Sequence, residues 1–191
     1  MTSKGYTTRT EIENYLLITI DPSFYAQVDN WIVQIEKYIE TFTDRIFIAD
    51  SATSERIYDG DGTNELIIDD AVSVTKVKID DVELTAGIDY DYIVEPANKL
   101  PKNTIRLLGT IFPNYVQNVK VTAKWGYSTA VPEDIKLAAT VLTAGIIYNE
   151  LEDEASSETI GSYSVSNKMS EGFDDLKIAK DTLEMYRKIT F

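Results

Sequence analysis

An α+β fold, with helices at both ends of the chain and a β insertion between them, is predicted by three observations. Apolar residues recur at helical spacing from Phe24 to Phe42, the period shortens towards two between Ser54 and Tyr127, and helical spacing returns after Pro132. The expected organisation is a helical core of residues 1–50 and 128–191, with two N-terminal and two C-terminal helices. A small β-sheet lobe, residues 51–127, is inserted into it within a single structural unit.

The first helix is expected from Glu11 to about Ile18, behind threonines suited to capping in "TTRTEIENYLLI". The second signal is stronger. Asp21 can cap, Pro22 suits a first turn, and Phe24, Val28, Trp31, Ile32, Ile35, Ile39 and Phe42 form a stripe expected to be buried. In the middle region "ERIYDGDGTNELIID" reads as strand, turn, strand, with Gly60 and Gly62 in a hairpin turn. "VSVTKVKID" alternates imperfectly at Val72, Val74 and Val77, and "DYDYIVEP", "NTIRLLG" and "NVKVTAKWGYS" read as further strands. "AVPEDIKLAATVLTAGIIYNELEDE" restores helix, with Glu133 and Asp134 favourable to the helix dipole. Its centre is apolar on nearly every side, so it is either the central helix of a monomer or a helix sandwiched between subunits. A loop, "SSETIGSYSVSNKMSEG" from Ser156 to Gly172, then leads to an amphipathic helix with Phe173, Leu176, Ala179, Leu183 and Tyr186 on one stripe.

Composition narrows the chemistry. The chain has 191 residues, 18 basic and 32 acidic, for a formal charge of −14. Such a surface repels phosphate backbones, whose sequence-independent affinity comes from Lys and Arg. With no Cys there is neither a disulfide framework nor a thiolate zinc site, and with no His the commonest general base is missing. The N-terminus lacks a signal-peptide hydrophobic region, and the longest apolar stretch, Leu137 to Tyr148, is too short to span a bilayer. The chain reads as a cytoplasmic product without a cofactor, a membrane role or a small-molecule substrate.

Several constellations invite chemistry. Asp59, Asp61, Glu65 and Asp70 are oxygen ligands, but an EF-hand needs Gly at its sixth position and Glu at its twelfth, where this chain has Asn64 and Asp70. An acidic hairpin turn is the expected reading. The acidic run around Glu150, Glu152, Asp153 and Glu154 sits at a helix end, where carboxylates oppose the dipole and a solvated, fraying end is expected. Tyr58, Tyr90, Tyr92, Trp125 and Tyr127 form a sugar-stacking platform or, as ordinary strand formers, a sheet core. There is no GxSxG and no GxxxxGK[ST]. No motif selects a catalytic residue, a metal ligand or a cofactor site.

Four features resemble the head–tail connector family of tailed bacteriophages and prophages, the adaptor or head-completion proteins. They are a short helix and an aromatic-rich helix ending in "TDRIF", the inserted "YDGDGTNELIIDD…DYDYIVEP…TIRLLG" lobe, "VKVTAKWGYSTAVPEDIKLAATVLTAGII", and "ETIGSYSVS" before the last helix. The resemblance covers most of the chain, and none of the four is a catalytic motif. It implies a non-enzymatic structural virion protein at the neck, assembled in the host cytoplasm. It also implies a ring homo-oligomer, dodecameric in the virion, between the portal protein and a stopper or tail-completion protein. Genomic DNA would pass through the lumen without specific binding. Residues expected at portal or inter-subunit contacts are Ile160, Tyr163, Val165, Phe173, Leu183 and Tyr186, then Leu137, Val141 and Ile147 on the apolar helix. The alternative from another class is a carbohydrate- or calcium-binding β module on a helical scaffold, centred on Asp59, Asp61 or Trp125.

Overall fold

The computed structural model describes residues 3–87, 91–155 and 168–188. Four helices and six strands divide into two compact units: Met1–Arg45 with Val131–Phe191, which carries the helices, and Ile46–Ala130, which carries the sheet. This is the expected α+β class. Among the described residues no helix is long and apolar enough to cross a membrane.

In the helical unit, α1 (Arg9–Leu16) begins two residues earlier than expected. Thr8 caps it by accepting from the Glu11 N–H at 3.2 Å while its hydroxyl donates to the Glu11 carboxylate at 2.9 Å. A 3₁₀ turn, Pro22–Phe24, is capped by Asp21 and leads into α2 (Tyr25–Thr43). The buried positions of α2 are Val28, Ile32, Glu36, Ile39 and Thr43, a single stripe at helical spacing. The stripe expected from sequence is therefore only partly buried: Trp31, Ile35 and Phe42 are half-buried and Phe24 is exposed. They lie at the edge of the core-facing arc, which is too narrow to take every apolar residue of the helix.

Glu36 is the one charged member of that buried stripe. Its carboxylate accepts from the Ser3 hydroxyl at 2.8 Å, the Lys4 N–H at 2.9 Å and the Tyr6 N–H at 3.0 Å. One turn later Glu40 accepts from the Lys4 ammonium at 2.6 Å and the Tyr6 hydroxyl at 2.8 Å. Two carboxylates thus tie the N-terminal segment along α2, and each buried donor has its acceptor.

Helix α3 (Glu133–Ala155) packs against α1, α2 and α4 (Lys168–Tyr186). Its unit's core joins Ile12, Ile20, Val28, Ile32, Ala144 and Ile147, each large aliphatic contributing about 1.5–3 kcal/mol of transfer free energy. Helix α4 starts before the expected position, so Lys168 to Gly172 belong to the helix and not to the preceding loop.

The β unit is a six-stranded antiparallel sheet of order β1-β6-β2-β5-β4, with β3 paired to β2. The strands are β1 (Ser54–Tyr58), β2 (Glu65–Ile79), β3 (Val82–Glu83), β4 (Tyr92–Glu95), β5 (Lys102–Leu107) and β6 (Val119–Trp125). Strand β6 alternates without error, burying Val119, Val121, Ala123 and Trp125. Strand β2 does not. Register shifts between Ile67 and Ala71, Ala71 and Ser73, and Val74 and Lys76 leave Val72 and Val74 half-buried and Val77 buried.

The expected β1–β2 hairpin is absent. Both strands pair antiparallel with β6, so they run in the same direction on either side of it. The connecting Asp59–Asn64 segment crosses the end of β6 and is bonded to the 111–118 loop. The Gly60 N–H reaches the Tyr115 carbonyl at 3.0 Å and Asn118 Oδ1 at 2.8 Å, and Phe112 N–H reaches the Thr63 carbonyl at 2.7 Å. A Cβ on Gly60 would fall 2.0 Å from the Pro113 carbonyl oxygen, so the glycine serves close approach and not a tight turn. At the unit's other end the incoming and outgoing chain lie side by side. Ile48 and Ser128 form a parallel bridge, Ala49 N–H bonds the Ser128 carbonyl at 2.9 Å and Tyr127 N–H the Ile46 carbonyl at 2.8 Å.

Candidate functional site

No catalytic constellation emerges, so the candidate residues are those able to contact another chain. Helix α3 is built for close packing on its inner side. Ala138, Ala139 and Ala144 are buried, and a Cβ on Gly145 would lie 3.4 Å from Leu176 Cδ2, which lets α4 approach. The Thr7 and Thr140 hydroxyls meet at 2.7 Å in the interior. Two tyrosines bind the helix ends together: the Tyr186 hydroxyl donates to Asp134 Oδ2 at 2.8 Å and the Tyr15 hydroxyl to Asp175 Oδ2 at 2.6 Å. Burial, then the bond to Asp175 and its charge, push the Tyr15 phenol up to about 12.

The expected contact residues separate on this scaffold. Leu183, Val141 and Ile147 are buried among the helices of their own unit, at 0%, 5% and 4% exposure. Tyr186 is half-buried with its hydroxyl engaged. Leu137 is 53% exposed and is the one member of the set, among those with described side chains, that offers a wide apolar surface. Phe173 falls on α4 with its side chain outside the described residues, and Ile160, Tyr163 and Val165 lie outside them altogether. Two exposed apolar residues of α4, Ile178 and Met185, were not singled out from sequence because they stand off the stripe that marks the helix as amphipathic.

The residues of the calcium or glycan alternative are committed elsewhere. Asp59 Oδ1 accepts from the Gln117 N–H at 2.6 Å, and Asp61 Oδ1 from the Thr63 N–H and hydroxyl at 2.8 and 2.7 Å. Those Thr63 bonds hold the Asp61 carboxyl below the usual carboxylate range. Among the described residues no group of three or more acidic side chains converges as a metal would require. Trp125 is 2% exposed, its Nε1–H donates to the Ser54 carbonyl at 2.9 Å, and the Arg56 guanidinium lies 4.5 Å from its ring centre. Tyr92 is likewise buried. These rings fill the sheet's core and present no open stacking face.

Comparison with known proteins supplies what the geometry does not. A family model described as Head completion protein matches residues 6–189. No curated relative matches the chain at the sequence level. Among solved structures, a chain in the neck of an empty GTA particle computed with C6 symmetry shares the fold at a TM-score of 0.58 and 13% identity. A chain in the virion of a native gene transfer agent particle does so at 0.56 and 14%, and one in the neck of a native GTA particle computed with C12 symmetry at 0.54 and 14%. Each alignment covers 100% of this chain and 94% of the other. At these identities the likeness is one of fold.

Proposed function

The chain belongs to the head completion protein family, and from that premise we propose that it is a structural, non-enzymatic protein of the virion neck. In this reading it forms a ring beneath the portal and joins the DNA-filled head to a stopper or tail component, with DNA passing through the lumen. The observation that carries the proposal is the family match over nearly the whole chain, 6–189, joined to a fold shared end to end with chains of symmetric particle necks.

Physical features support it. Leu137 leaves an apolar surface on α3 that a ring neighbour or the portal can cover. A net charge of −14 discourages DNA from adhering during transit. The C12 symmetry of one such neck supports a ring of twelve in the assembled particle.

The test is negative-stain microscopy with mass measurement over a concentration series, with and without purified portal. Rings, alone or templated by portal, are expected, and Leu137→Asp is expected to raise the concentration needed for assembly about tenfold, the equivalent of about 1.4 kcal/mol. A chain that stays monomeric and ignores the portal would sink the proposal. Replacing Tyr163 and Val165 with Ser is expected to weaken assembly and leave the melting temperature unchanged; a large loss of stability would show instead that this stretch belongs to the core.

A further inference from the structure

Helix α2 carries a second stripe that its own unit does not use. At 100° per residue, Phe24, Trp31, Ile35, Tyr38 and Phe42 fall within about a sixth of the circumference, over a length of about 27 Å. Phe24 and Tyr38 are 40% and 43% exposed and the other three are half-buried. Tyr38 and Phe42 stack on each other at 5.8 Å between ring centres, and the Arg187 guanidinium stands 5.8 Å from the Phe42 ring. Stacking between neighbours on one helix fixes ring orientation before any partner arrives.

The charges of α2 are sorted by face. Its three carboxylates lie beyond the far edge of the buried stripe, and all are held by the N-terminal segment. Asp29 pairs with Arg9 at 3.0 Å, Glu36 accepts from Ser3, Lys4 and Tyr6, and Glu40 from Lys4 and Tyr6. The solvent flank of the aromatic stripe holds Gln27, Asn30, Gln34 and Thr41, all exposed and uncharged, with Lys37 the one charge. A face rich in aromatics and poor in carboxylates, on a chain with 32 acidic residues, has the composition of an interface core.

We propose that this stripe seats a second copy of the chain, as one side of the subunit contact in the ring. The inference rests on the ring reading above and adds the surface to it. Two chains of charge −14 repel wherever their acidic faces meet, and this stripe is a place where apposition brings no carboxylate pair together. Lys37 and Arg187 at its margins instead meet a neighbour's acidic surface favourably.

The chain has no Cys, so Tyr38→Cys labelled with a benzophenone maleimide gives one photo-crosslinker in the stripe. Irradiation of assembled rings, with and without portal, is expected to join position 38 to a peptide of the same chain. Gln34→Glu, which alters charge at an exposed site without touching the core, and Tyr38→Asp are each expected to raise the half-assembly concentration about tenfold or more. Far-UV circular dichroism checks that each variant is folded, and Gln34→Glu decides alone if Tyr38→Asp is not. Wild-type protein that assembles while Gln34→Glu matches it, or a cross-link only to portal, overturns the stripe and leaves the ring reading standing. Wild-type protein that never self-associates, even with portal, overturns both.

Discussion

Replacing Glu36 with Ala should detach the N-terminal segment from α2. The Tyr6 N–H, on a residue with 0% exposure, would lose its acceptor 3.0 Å away. A buried donor left unsatisfied costs about 1–3 kcal/mol. The Ser3 hydroxyl and Lys4 N–H can be rewetted, so their lost bonds to a carboxylate add only about 1 kcal/mol together. The sum, about 3 kcal/mol, corresponds to a drop of about 6–12 °C in melting temperature for a chain of this size. Glu36→Gln keeps one acceptor oxygen and should cost half as much or less. The assay is thermal unfolding followed by helical ellipticity, beside limited trypsin digestion. Cleavage after Lys4 should accelerate in the Ala variant at temperatures where the helices remain intact. A melting shift below about 1 °C with unchanged cleavage would refute the assignment of Glu36 as the anchor, because no burial of an orphaned donor costs so little.

Gly126 has φ +129°, and a Cβ there would lie 2.4 Å from Ala49 Cα, so Gly126→Ala should destabilise the β unit by about 3 kcal/mol or more, read from Trp fluorescence in urea. Gly5 shares the positive φ, at +79°, but has nothing within 4 Å, so Gly5→Ala should cost only about 1 kcal/mol and separate backbone strain from collision. Burial raises the phenols of Tyr15 and Tyr58 from 10.0 to about 12. The unfolded chain therefore releases these protons first. Their contribution to stability is complete below pH 10 and is lost as pH rises from 10 towards 12. Phenolate absorbance should show two late-titrating tyrosines, one fewer in Tyr15→Phe.

Elements whose burial has a clean period were legible in the sequence. Strand β6 alternates at Val119, Val121, Ala123 and Trp125, and α3 announces itself through its apolar run and acidic first turn. Pairing was not legible. Asp59 to Asn64 has the residues of a hairpin turn, but the partner of β1 is decided by bonds from Gly60 and Thr63 to a loop some fifty residues away, which no local pattern encodes. Bulges hid the continuity of β2, because each one flips the alternation that identifies a strand. At the candidate contacts, helical spacing found the stripe of α4 but could not tell own-core burial from exposure. Leu183 and Leu137 look alike in sequence and differ from 0% to 53% exposed. In α2 one apolar list concealed two adjacent stripes, one filled by the unit itself and one left open.

The side-by-side meeting of Ile48 with Ser128 bears on how a chain can carry a sheet between two halves of a helical bundle. A flexible insert spanning residues 46–130 would burden the closure of the helical unit by on the order of 2–3 kcal/mol over a link of a few residues. Once the sheet has folded and zipped its own ends together, the helices experience a tether about as wide as one strand spacing, near 4.8 Å. The insertion is close to entropically silent for its host. Loops on the sheet can lengthen or change chemistry while the bundle's closure stays the same, which makes the β unit the part of the molecule freest to diverge.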